Sequence, residues 1–219
     1  MHTVRRRCLP PAVGVLLALA AATLFASTVV FRSFDEDPSG KAPSGFEFVA
    51  TGAHPPGEWL VQGARLPHYL EHLGGPTAGR GSSVAAVGPA VKDVRVSVTM
   101  RLIDGRRVGG VLWRYQDRDN FYGVAINLEE QELLLFRRTR GSRIQLDKAT
   151  GLTLDHERWH TLTVAHRGDQ IHVHLDGIGV LDAHDTWVAT PGRGGVWSDL
   201  ASRAWFDDLW IEDISESGG

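Results

Sequence analysis

Between residues 114 and 138 the chain interleaves groups that hydrogen-bond with groups that stack. If Asp117-Arg118-Asp119-Asn120 closes a hairpin, Val111, Trp113 and Tyr115 lie beside Ile126, Val124 and Tyr122 on an apolar side. Arg114, Gln116, Phe121, Gly123 and Asn127 then share the opposite side, and a tight turn at Glu129-Glu130 adds Glu132, Phe136 and Arg138 to it. Arginine, amide, carboxylate, aromatic ring and bare glycine on one wet face suit a sugar. A sugar needs planar hydrogen-bonding partners and an apolar platform for its C–H surface. Trp197 and Asp199, where a strand runs into a loop, extend the set. The expected contacts are Arg114, Gln116, Asp117, Asn120, Asn127, Arg138, Trp197 and Asp199. The solvated outer face of any antiparallel sheet reads much the same way.

Other groups offer different chemistry. His172 and His174 put two imidazoles on one face of a strand, with Asp176 two residues on; this spacing can ligate zinc, but no third ligand is identifiable. His160, beside Trp159, reads as a packed or hydrogen-bonded strand residue. Asp207-Asp208 puts one carboxylate on each side of a strand, so one needs a partner such as Arg114 or a cation. Hydrolysis of a glycosidic bond needs two carboxylates roughly 5 to 9 Å apart. Glu132, Asp117 and Asp199 are the candidates for that acid/base work, and no catalytic residue can be assigned among them. The sequence contains no Gly-x-Ser-x-Gly elbow, phosphate loop or metalloprotease helix motif. No cofactor motif appears either; a structural calcium ion is compatible with this reading.

These groups must be positioned by strands. In residues 94–102 every second residue is apolar, the mark of a half-buried antiparallel strand. If Gly168-Asp169 closes a two-residue hairpin, Val164 faces Val173 and Leu162 faces Leu175. Further strands are expected near 110–116, 121–128, 132–138, 142–146, 159–167, 170–176, 177–182, 194–198 and 204–212, with shorter ones before residue 88. About ten or more strands with no long amphipathic helix mean an all-β, two-sheet antiparallel jelly-roll sandwich. Its expected extent is 46–219, after an acidic linker rich in Pro, Gly and Ser at 32–45.

Residues 1–31 carry Arg5, Arg6 and Arg7, then an uncharged apolar run over 12–31, long enough to enter a membrane. This is either an uncleaved single-pass anchor or a secretory signal cut at Ala20-Ala21-Ala22. Both leave the arginines in the cytoplasm and export the rest, so the expected location is the bacterial cell membrane with the domain outside it, or secretion. Cys8 precedes the apolar run and is the single cysteine, so neither a lipoprotein anchor nor an intrachain disulfide is expected. The formal charge is −3, and setting aside the +3 of Arg5, Arg6 and Arg7 leaves −6. That balance disfavours nucleic acid as a partner.

Trp113-Arg114-Tyr115-Gln116-Asp117 with Asn120-Phe121-Tyr122, Gly141-Ser142-Arg143, Trp159-His160-Thr161-Leu162, Leu175-Asp176-Gly177, Gly195-Val196-Trp197 and Phe206-Asp207-Asp208-Leu209 follow one another in order. Together they resemble the concanavalin A-like lectin/glucanase superfamily, and within it the bacterial 3-keto-disaccharide hydrolase-like (LamG-like) domains. The resemblance implies a jelly roll with a concave face that in many relatives meets carbohydrate. It transfers no catalytic pair, and the Glu-x-Asp-x-x-Glu signature of laminarinase-like members is absent. The first expectation is therefore a non-catalytic module for a glycan or cell-envelope component. The second is a glycoside hydrolase, and the third is a module that docks onto a membrane or wall protein.

Overall fold

A computed structural model describes residues 29–74 and 81–215. They form two antiparallel sheets packed face to face. One sheet contains β1 (Val29–Arg32), β3 (Trp59–Gln62), β4 (Tyr69–His72), β6 (Val94–Gly105), β11 (His160–Arg167), β12 (Gln170–Leu175), β13 (Ile178–His184) and β15 (Ser202–Asp213). The other contains β2 (Glu47–Ala50), β5 (Ser82–Val91), β7 (Val108–Asp117), β8 (Asn120–Asn127), β9 (Glu132–Thr139), β10 (Ser142–Ala149) and β14 (Gly192–Asp199). The first sheet runs β13-β12-β11-β6-β15-β4-β3, with β1 also on β15, and the second runs β10-β9-β8-β7-β14-β5-β2. No helix among the described residues is long and apolar enough to cross a membrane.

Period-two patterning does most of this work. In β6, Val94, Val96, Val98, Met100 and Leu102 are buried, and their neighbours face outward. The Gly168-Asp169 hairpin sets Leu162 opposite Leu175 and Val164 opposite Val173, as the alternation predicts. Trp113 stacks on Tyr122 at 5.6 Å inside the core, with Val111, Val124 and Ile126 around them. Burying such side chains stabilises each by about 1.5–3 kcal/mol.

Three expectations change. Residues 29–31, read as the end of an apolar membrane segment, belong to β1, which pairs with Leu209–Glu212 of β15. Residues 32–45, read as a linker, are built into the sandwich. Phe34 is 2% exposed, and Gly40 N and Lys41 O bond to Val61 O and N, each at 2.8 Å. The acidic, turn-rich composition marked irregular backbone, but Phe34 and Phe46 supply an apolar face that the composition conceals. The rest of the expected N-terminal segment, with Cys8, lies outside the described residues.

The third change concerns strand parity. Trp113 pairs with Tyr122, whereas Asp117 pairs with Asn120, so three residues of β7 oppose one of β8. Arg114 sits at φ +46° in this bulge. Against β14 the same stretch carries one extra residue, Trp113 and Arg114 together opposing Gly194, and the alternation inverts beyond it. Tyr115, expected inward, turns to the outer face beside Phe121, and Arg114, expected outward, turns into the protein.

Candidate functional site

The outer face of the second sheet has an apolar floor. Val84, Ala86, Leu112, Tyr115, Phe121, Ala125, Phe136 and Trp197 form a second apolar cluster, each at most 3% exposed, on the side away from the first sheet. This face was expected to be wet. Instead, aromatic rings lie down across it and exclude water from the strands beneath. Gly123 permits this, because a Cβ there would come within 2.5 Å of Phe136 Cζ. The Phe136 ring meets Trp197 edge-on at 5.5 Å and Phe121 at 6.2 Å, and Trp197 Nε1 donates to Val124 O at 3.1 Å.

Polar groups ring this floor and form a groove. Two cavities, of about 300 and 510 Å3, share Arg106, Arg143 and Asp199 as walls. The smaller is also lined by Ala125, Asn127, Glu129 and Glu132, and the larger by Thr51, Ser82, Phe121, Phe136 and Arg138. Arg106 comes from the β6–β7 turn, Arg138 from β9 and Arg143 from β10. The Arg140-Gly141 turn, with φ of +49° and +78°, joins the last two strands so that Arg143 stands opposite Arg138. Arg143 lays its guanidinium over Phe136 at 3.8 Å and Trp197 at 5.2 Å.

The groove's charges are incompletely matched. Asp199 Oδ2 is 3.6 Å from Arg106, and Asp119 Oδ1 is 3.8 Å from Arg138, both beyond hydrogen-bond distance. Glu132 is held by Lys148 at 2.6 Å. Among the described residues no acceptor bonds Arg143, and Arg138 Nε is buried without a partner. Burial on the ring faces, then the neighbouring Arg138, lower the Arg143 pKa to about 10, and Asp199 opposes the shift. Burial also lowers Arg138. Both remain cations at neutral pH, so the groove presents donors and positive charge above hydrocarbon.

The eight residues expected to contact a ligand divide sharply. Asn127, Arg138 and Asp199 meet in the groove, and Trp197 lies beneath it as floor, 1% exposed. Asp117 accepts from Asp119 N and Asn120 Nδ2, and Asn120 Oδ1 accepts from Arg140 N, so both build turns. Gln116 donates to Pro191 O at 2.7 Å and ties β7 to the approach to β14. Arg114 is 1% exposed and donates to Lys92 O, Val188 O and Gly168 O at 2.7–3.1 Å, so it braces loops from within. The sequence reading missed Arg106 and Arg143. Arg143 was legible from the Arg140-Gly141 turn signal, which fixes its place opposite Arg138.

The other candidates do not assemble. His172 Nδ1 contacts Asp182 at 2.5 Å, whereas Asp176 accepts from His160 Nδ1 at 2.8 Å, so the proposed zinc spacing is divided between two pairs. Among the described residues no group of three or more His, Cys, Asp or Glu could hold a metal ion. Asp207 turns back to accept from Asp208 N at 2.7 Å, at a bulge where Asp208 has φ +47°, and does not reach Arg114. Burial raises its pKa to about 6, but it lies on β15 of the first sheet.

No protein-family model matches the chain, and no curated protein matches it in sequence. Among solved structures it is similar to the carbohydrate-binding module CBM66 from Bacillus subtilis, with 18% identity and a TM-score of 0.63 over 78% of this chain and 98% of that one. It is also similar to a protein of unknown function with a galectin-like fold from Bacillus subtilis, at 11% identity and a TM-score of 0.56 over 77% and 89% of the two chains. A GH43 protein from Bacillus licheniformis matches at 14% identity and a TM-score of 0.57, over 83% of this chain but 38% of its own length. At these identities the likeness is one of fold, consistent with the concanavalin A-like sandwich that the sequence resembles.

Proposed function

We propose that this protein is an exported carbohydrate-binding module and that the groove on the second sheet is its binding site. One observation carries the reading: an aromatic floor ringed by guanidinium, amide and carboxylate groups, in a cavity sized for a small ligand. The fold supports it, since a similar structure bears the name of a carbohydrate-binding module. Asn127, Arg138 and Asp199 from the sequence reading, joined by Arg106 and Arg143, are the proposed contacts. A glycan or cell-envelope component is the proposed partner.

Hydrolysis, including the keto-disaccharide type, is the weaker reading. Glu132 is ion-paired with Lys148, Asp199 Oδ1 accepts from Ala201 N at 2.9 Å, and Asp117 is spent in a turn. Each candidate carboxylate thus has a structural duty.

Export rests on the sequence. Because β1 takes residues 29–31, residues 12–28 are what is left of the apolar run for a membrane segment, which would be about 25 Å long if helical, against a bilayer core of ~30 Å. Cleavage at Ala20-Ala21-Ala22 would still leave β1 intact. Intact mass of the protein recovered from membranes and from medium distinguishes an anchor from a removed signal.

A glycan array probed with the full chain tests the binding reading, followed by Arg106→Ala and Asn127→Ala at the groove wall. A bound glycan whose affinity falls at least tenfold in these variants supports it. No binding across the array, or binding indifferent to both changes, removes this groove as a carbohydrate site.

A further inference from the structure

We infer that the groove selects an anionic glycan, one bearing a carboxylate or a sulfate ester, through Arg106, Arg138 and Arg143. The inference rests on the carbohydrate-binding reading of the same groove and gives its ligand a charge. In the larger cavity three guanidinium groups face the carboxylate of Asp199, and a further carboxylate, Asp119, stands 3.8 Å from Arg138 at the rim. The polypeptide beyond residue 31 carries a net charge of −6, so this local excess of positive charge runs against the rest of the molecule.

The donors are also held ready and left unused. Arg138 and Arg143 stand directly opposite on neighbouring strands, an arrangement that like charges disfavour. Arg138 Nη2 stands 3.8 Å from Asp119, beyond hydrogen-bond distance, and no described residue accepts from Arg143. Stacking over Phe136 and Trp197 fixes the plane of the Arg143 fork, which lowers the entropy lost on gripping a planar carboxylate or a sulfate face. A neutral sugar leaves the two cations repelling each other, whereas an anion placed between them removes the repulsion and fills the donors. Glu129, on the wall of the smaller cavity, sets a limit. The charged substituent belongs in the larger cavity and a neutral part of the glycan beside Glu129.

The test is calorimetric binding of the full chain in mild detergent at about 0.15 M salt, near physiological ionic strength. Dextran serves as the neutral polymer, polygalacturonate as the carboxylated one and dextran sulfate as the sulfated one. At least one charged polymer should bind at least tenfold more tightly than dextran. The double variant Arg138→Gln/Arg143→Gln should lose at least tenfold of that affinity while its melting temperature shows that it remains folded. Arg95→Gln, at a surface pair with Glu212 on the first sheet, should bind as the parent does. Preference for polygalacturonate or for dextran sulfate identifies the group. Dextran binding equal to or tighter than both polyanions overturns the charge inference and leaves the carbohydrate reading standing. Polyanion binding that falls equally in Arg95→Gln is surface ion exchange and also overturns it. If all three polymers fail while the array detects a neutral glycan, the charge inference alone falls; if the array is blank too, both readings fall.

Discussion

Arg138 on β9 and Arg143 on β10 occupy directly opposed positions in an antiparallel pair, two cations where a sheet ordinarily places complementary partners. Arg143 nevertheless shields the Phe136 ring from 3.8 Å. Methionine at 143 keeps the apolar cover and removes the repulsion, worth about 0.2–1 kcal/mol. Arg143→Met should therefore raise the melting temperature by about 1–3 °C. Differential scanning calorimetry checks this, and a fall of several degrees would mean that the cation–ring contact outweighs the repulsion.

Arg114 gives the opposite result. Its guanidinium satisfies three loop carbonyls and approaches Asp93 at 3.5 Å, and its removal leaves those acceptors in a nearly dry site. Arg114→Ala should cost about 3–5 kcal/mol and lower the melting temperature by on the order of 10 °C. Lysine cannot reproduce the fork and should rescue little. Thermal denaturation of the three proteins is the measurement.

Acid should destabilise the fold from about pH 6.5 downward. His72 and His166 are buried and held near pKa 4, His72 by burial and His166 by burial with the charge of Arg114 added. The unfolded chain protonates these groups near 6.5, so it binds protons first as pH falls. Stability is then full above about pH 6.5 and declines towards pH 4, by at most on the order of 3 kcal/mol for each histidine. Asp207, raised to about 6, acts in the opposite sense through a smaller shift. Urea midpoints between pH 7 and 4.5 should fall, and because Asp207 offsets one of the two histidines, His166→Gln should remove most of the slope.

A fragment beginning at residue 33 should be less stable than one beginning at residue 29. The shorter one strips β1 from Leu209–Glu212 of β15, where β6 remains as a partner, and loses the packing of Val30 and the 5.2 Å contact of Phe31 with Trp210. The expected difference is on the order of 2 kcal/mol, read as paired urea melts.

What the sequence revealed follows a simple physical division. Wherever strict alternation ran without interruption, as in β6 or the β11–β12 hairpin, faces and registers could be read residue by residue, because a period of two leaves one choice of buried side. The groove was half legible for the same reason: Phe121, Gly123, Asn127, Glu132, Phe136 and Arg138 were all placed on the outer face correctly. Arg114 and Tyr115 were not, since a single bulged residue inverts parity and nothing in Trp113-Arg114-Tyr115-Gln116 announces it. Phe34 was lost among acidic turn residues, because burial of one ring depends on tertiary contacts that composition does not encode.

The position of β15 has one more consequence. Among the described residues it is the one strand that bridges β6 to β4 in the first sheet, and β1 is attached to it as well. A chain emerging from its amino end therefore carries that sheet as unjoined fragments until residues 202–213 arrive. Completion is postponed to a late step, so a polypeptide threaded unfolded through a narrow export channel would close its architecture only on the far side.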